Sequence, residues 1–178
     1  MNTHIDGVTV VDLHVHPDAR GSFVEFYRES WLPTARSALQ GNISRSNAGS
    51  LRALHFHRMQ WDYWFVAAGE MFVAMVDLRT GSPTERAVST MRLAAETPRG
   101  LFIPPGVAHG FLAVTDLTLG YLVDRYFDGS DEWGIAWNDP ELGIDWPATD
   151  PVLSERDRNN PRLAEALRDP IPYRPDLG

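Results

Sequence analysis

From Val8 to about Phe127 the chain runs as short segments rich in Val, Phe, Tyr, Leu and Trp, separated by Gly, Pro, Asn and Asp. Many short apolar segments with regular breaks predict strands of a sandwich or barrel. The stretch "YWFVAAGEMFVAMVDLR" predicts a hairpin, with apolar arms on either side of Ala68-Gly69-Glu70 and Gly69 supplying the positive φ of a tight turn. Its arms mix alternation with unbroken apolar runs, the pattern of strands covered on both faces. Pro104-Pro105-Gly106 interrupts "GLFIPPGVAHGFLAV" and leaves His109 at the start of the next run, and another strand is expected around "LGYLVDRYF". Beyond residue 128 the texture changes to the Pro- and Asp-rich "DPELGIDWPATDPV", which reads as loop. In "SERDRNNPRLAEAL", Ser154 with Asp157 three residues on resembles a capping box, although Glu or Gln is the usual partner. A short helix is expected at roughly Pro161–Leu167. With no internal repeat and no linker, residues 1–178 read as one all-β domain with small helical additions.

Composition narrows the partners. A chain of 178 residues is long enough to bury a real core, and 43% hydrophobic with 22% charged residues is the balance of a globular protein. The net charge of -8 and the lack of any basic run argue against nucleic acid as a partner. The N-terminus has no basic segment leading into an apolar one, and no apolar run is long enough to span a bilayer, so a soluble, cytoplasmic protein with no membrane association is expected. Cysteine is absent, which removes disulfides and thiolate chemistry. Lysine is absent as well, so all 16 basic side chains are Arg and no Schiff base can form. Any metal would have to rest on His, Asp or Glu.

The candidate chemistry concentrates in "RALHFHRMQWDYWF". His55 and His57 lie one residue apart, so in a strand they share a face, and Asp62 follows five positions later. His109, after the Pro-Pro-Gly break, could meet them inside a small barrel. The spacing resembles the two-part metal motif of the cupin superfamily, with Asp62 where that motif has Glu. Imidazole and carboxylate suit a divalent transition ion, so His55, His57, Asp62 and His109 form one candidate metal set. The other closely spaced pair, His14 and His16, reads as surface.

A second resemblance covers more of the chain. In order, "DARGSFVE", "QGNISRS", "GSLRALH", "GEMFVAMVDLR", "LFIPPGVAHGF", "GIAWNDPELGIDWP" and "LSERDRNNP" resemble successive motifs of the dTDP-4-dehydrorhamnose 3,5-epimerase family, the RmlC-type cupins. The resemblance implies a jelly-roll β-sandwich, a homodimer, a nucleotide-sugar substrate and no cofactor. It also implies epimerization at one or both carbons flanking a C4 ketone. His55 falls on the family's base and Asp157 on the carboxylate that orients it. Arg52 falls on an arginine near the substrate, and His109 lines the same cavity. Arg20, Phe23 and Glu25 match the stretch that holds the nucleotide across the dimer interface. Gln40, Asn42 and Ser44 match a segment whose amides line the substrate pocket.

The same alignment shows departures. Asp62 stands where the family has its catalytic lysine, and Phe127 where it has its acid tyrosine, with Tyr126 one step away and on the opposite strand face. Three readings follow: an epimerase-like isomerase using His55 and Asp157; a metal-dependent cupin enzyme using His55, His57, Asp62 and His109; and a non-catalytic sugar-nucleotide-binding homologue.

Overall fold

The structure is a computed structural model that describes residues 4–32 and 36–175. Its strands are β1 (Thr9–Asp12), β2 (Val15–Asp18), β3 (Gly21–Val24), β4 (Gln40–Ser46), β5 (Leu51–Phe56), β6 (Asp62–Ala68), β7 (Glu70–Asp77), β8 (Arg79–Thr80), β9 (Val88–Ala94), β10 (Arg99–Ile103), β11 (Val107–Ala113), β12 (Leu117–Val123), β13 (Trp133–Gly134) and β14 (Ile171–Pro172). Two short helices, α1 (Glu155–Arg158) and α2 (Leu163–Ala166), follow the main strands. One five-stranded sheet has the order β1-β10-β6-β12-β4 and the other β13-β5-β11-β7-β9. Together they form the jelly-roll sandwich of the all-β reading. Among the described residues no helix is long and apolar enough to cross a membrane.

The unbroken apolar runs are explained by three layers of packing. Trp64, Val66, Val73, Met75, Leu101 and Phe111 belong to a buried cluster between the sheets. Their strand neighbours Ala74, Val76 and Leu54 pack instead with Ile135, Trp146, Leu163 and Ile171, so the C-terminal segment covers the second sheet. Tyr63 and Phe102 pack outside the first sheet with Trp61 and Leu32. A strand buried on both faces needs no polar alternation.

The expected hairpin at Gly69 is not one. Gly69 does adopt a positive φ of 86°, but β6 pairs with β10 and β12 while β7 pairs with β11 and β9. The turn is a corner by which the chain leaves one sheet for the other. It is pinned from outside, since the Glu70 amide donates to Thr115 Oγ1 at 2.9 Å, and a Cβ on Gly69 would lie 2.2 Å from the Asp116 carbonyl oxygen. Local sequence reported the bend, whereas the partners of its arms are set by distant strands. The predicted helix is present in shortened form, with Arg162 and Leu167 as its caps.

A buried ion pair fixes the end of β7. Asp77 and Arg79 are almost fully buried, and Arg79 Nε donates to Asp77 Oδ1 at 2.8 Å while Ser82 and Thr84 hydroxyls donate to Oδ2 at 2.6 and 2.7 Å. Burial works to raise the Asp77 pKa, but these hydrogen bonds outweigh it and hold the carboxyl below its ordinary value. Because the folded value is the lower one, the stabilisation is complete above the ordinary carboxylate pKa and is lost as pH falls through the folded value. Asp77→Asn, which strands the buried guanidinium, should therefore cost about 3–5 kcal/mol at pH ~7 in urea unfolding. The gap from wild type should narrow under acid.

Candidate active site

The two sheets open at one end into a cavity of about 410 Å³ lined by β4, β5, β6, β11 and β12. On the second sheet His55 and His109 are direct cross-strand partners. Arg52 lies three residues before His55, so regular alternation would point it to the other face. It nevertheless lines the same cavity, because the β5–β11 register shifts between His109 and Phe111, leaving Ala53 and Leu54 opposite Gly110. Gly110 permits this close approach: a Cβ there would lie 2.4 Å from the Ala53 Cβ. On the first sheet Asp62 and Trp64 pair with Val123 and Tyr121, which in turn pair with Gln40 and Asn42. Ser44 lines the cavity beside them.

His55 Nε2 lies 2.6 Å from Asp157 Oδ1. Burial works to raise the Asp157 pKa, but the hydrogen bond and charge of His55, with the Ser154 hydroxyl, hold it below the usual carboxylate value. An ionised carboxylate only accepts, so Nε2 carries the proton and Nδ1 is the basic nitrogen. The capping box explains the placement. Ser154 Oγ accepts from the Asp157 amide at 3.1 Å, as the capping-box spacing suggested, and starts α1, a turn earlier than the one expected helix, while the Asp157 carboxylate bonds to His55.

The candidate metal set divides. His57, Asp62 and His109 can bring one ligand atom each within 4.8 Å of one another, while His55 stands outside this group with Asp157. His57 Nε2 lies 3.9 Å from Asp62 Oδ1, and His109 Nε2 lies 3.8 Å from Asp62 Oδ2. The His57 Nδ1–H donates to the Asp131 carbonyl and the His109 Nδ1–H to the Val107 carbonyl at 3.0 Å. Asp62 accepts from Gln60 Nε2 at 2.9 Å and Trp64 Nε1 at 3.1 Å. Burial, only partly offset by Asp62, pushes the His109 pKa down to about 4. The loop carrying His57 is itself anchored, since the Asp131 carboxylate accepts from the amides of Arg58, Met59 and Gln60.

Other expected residues are distributed unequally. Arg52 donates from Nε to Ser46 Oγ at 3.1 Å, and Gln40 donates to Asn42 Oδ1 at 2.9 Å while its Oε1 accepts from the Phe127 amide at 3.1 Å. Phe127 lines the cavity, whereas Tyr126 lines a neighbouring cleft, and both are largely exposed. Arg20, Phe23 and Glu25 do not line the cavity of their own chain. Arg20 pairs with Asp18 and Glu25 with Arg28, each at 2.7 Å, and Phe23 is 67% exposed on or beside the separate β2–β3 ribbon. His14 and His16 are exposed, as the sequence suggested. Sequence reasoning missed Tyr121 and Glu132. Tyr121 was signalled by alternation in "LTLGYLV", where Leu119, Tyr121 and Val123 all line the cavity. Its pKa is raised, chiefly by burial and then by Asp62 and Glu132, so it remains a proton donor.

The family model for dTDP-4-dehydrorhamnose 3,5-epimerase matches residues 2–165. The epimerase of that name from Pseudomonas aeruginosa is 41% identical over 170 residues, covering 91% of this chain and 94% of its own. Among solved structures, the RmlC epimerase of Legionella pneumophila in complex with dTDP-4-keto-L-rhamnose superimposes with a TM-score of 0.88 at 34% identity, over 98% of this chain and 97% of that one. ChmJ, a 3'-monoepimerase from Streptomyces bikiniensis in complex with dTDP-quinovose, gives 0.84 at 32% identity, over 92% and 87%.

Asp157→Asn keeps the side-chain shape but removes the ion. It should cost about 1.5–3 kcal/mol in urea unfolding, the worth of a hydrogen bond to a charged group. Nitrogen NMR of the His55 ring should then show mixed tautomers where the wild type shows one.

Proposed function

Because the chain belongs to the dTDP-4-dehydrorhamnose 3,5-epimerase family, we propose that it is an isomerase of dTDP-4-keto-6-deoxyhexoses working within a single RmlC-like cupin domain. The observation that carries this reading is the 2.6 Å contact of His55 with a buried, ionised Asp157 at the wall of a cavity. A carboxylate that fixes one imidazole nitrogen raises the basicity of the other. His55 Nδ1 removes the proton α to the C4 ketone, and the electron pair passes into the carbonyl to form an enolate. Arg52 contributes positive charge to the developing oxyanion or to the diphosphate. Tyr121 returns a proton to the opposite face of the same carbon, taking the part that Phe127 cannot. With the lysine and tyrosine positions held by Asp62 and Phe127, reaction at one of the two flanking carbons is the expected outcome.

The nucleotide reaches the site through a homodimer. Arg20, Phe23 and Glu25 are surface residues that do not line their own cavity, and in this reading they serve the cavity of a second copy, where an aromatic face stacks on the base and Arg20 meets phosphate. Gln40, Asn42 and His109 line the cavity, which supports giving them the sugar as their partner.

Incubation in deuterium oxide with a dTDP-4-keto-6-deoxyhexose should label a carbon next to the ketone, read by proton NMR. His55→Asn should slow the labelling by about two to four orders of magnitude, the usual worth of a positioned base. No label at either flanking carbon would refute the isomerase reading. Light scattering should give twice the 20.0 kDa chain mass, and Phe23→Ala should weaken dTDP binding while leaving the chain folded.

A further inference from the structure

We propose that His57, Asp62 and His109 form a binding site for one divalent first-row transition ion in the wall of the cavity that holds His55. Each of the two rings spends its Nδ1–H on a backbone carbonyl, which aims Nε2 at a different oxygen of Asp62. A backbone carbonyl behind a ligating imidazole is the arrangement that orients it and raises its basicity as a ligand. The separations of 3.9 and 3.8 Å are too long for hydrogen bonds. They are a few tenths of an ångström wider than the roughly 3–3.6 Å that separates neighbouring donors about 2.0–2.2 Å from a shared ion. Asp62 is held from behind by Gln60 and Trp64, which leaves acceptor capacity on both oxygens toward the rings.

The donor chemistry selects the ion. Two imidazoles and one carboxylate suit zinc, iron, cobalt, nickel or manganese, whereas magnesium and calcium prefer oxygen throughout. Three protein ligands leave coordination positions for a substrate oxygen. The charge of the cavity agrees, since Arg52 is the one permanent cation among its described lining residues, against the acidic Asp62 and Glu132. The chain has no lysine with which to supply another. His55 lies outside the ligand set and keeps its own partner, so base and metal do not compete for one ring. The ion would stand where it can polarise a carbonyl whose α-proton His55 removes. That catalytic role rests on the isomerase reading; the binding site does not.

The test uses untagged full-length protein freed of metal by a chelator, in a His14→Ala/His16→Ala background that removes the exposed histidine pair. Calorimetric titration with zinc and nickel, and visible absorption with cobalt, should show one ion per chain. Asp62→Asn and His109→Gln should each weaken binding by more than the about 10–100-fold that losing a mere supporting partner costs. His55→Asn should bind as the parent does. No stoichiometric uptake, or equal affinity in Asp62→Asn, overturns the site; loss of binding in His55→Asn with an unchanged circular dichroism spectrum overturns the three-residue assignment. Adding the ion should accelerate deuterium labelling. Equal labelling by metal-free and loaded protein overturns the catalytic role and leaves the isomerase reading standing.

Discussion

The close approach of β5 to β11 at Gly110 governs the site. A side chain at that position would occupy the space of Ala53, and the two residues Ala53 and Leu54 facing the single Gly110 reverse the parity of the strand. Through that irregularity Arg52 and His55, three positions apart, serve one cavity. The rest of the second sheet is built to hold this register: β11 is buried along its whole length, between the core on one face and the C-terminal segment on the other. Packing at native density resists the shift of even one methyl group. The positions of Arg52 and His55 in the cavity wall are thus a consequence of backbone contact more than of their own interactions.

Around that frame the cavity separates two kinds of histidine. His55 faces a carboxylate that is ionised, close and hydrogen-bonded, which leaves Nδ1 as its unprotonated nitrogen. His57 and His109 face a carboxylate too far away to bond, with their Nδ1 atoms tied to the backbone and each Nε2 turned toward Asp62. One residue type is held in two ways because the ring nitrogens are partnered differently.

Much of this was legible in the residues. The strands from Thr9 to Val123, the sandwich, the Ser154 cap and the convergence of His55, His57, Asp62 and His109 follow from spacing, turn chemistry and motif order. What local pattern could not convey is partner choice. "YWFVAAGEMFVAMVDLR" has the form of a hairpin, yet its arms belong to different sheets because β10, β11 and β12 offer apolar edges contributed from far along the chain. Nor did spacing tell that His55 would leave the candidate metal set, because the residue that claims it lies 102 positions later. Arg20, Phe23 and Glu25 were singled out only through motif resemblance, and within one chain they are ordinary surface residues.

The origin of Asp157 has a further consequence. Both sheets apart from β13 are complete in sequence by Val123, but the carboxylate that orients His55 belongs to α1, which belongs to neither sheet. The contact between His55 and Asp157 thus joins a strand of the second sheet to a segment that comes after both sheets in the chain. Docking of that segment, rather than formation of the sandwich, settles which nitrogen of His55 carries the proton.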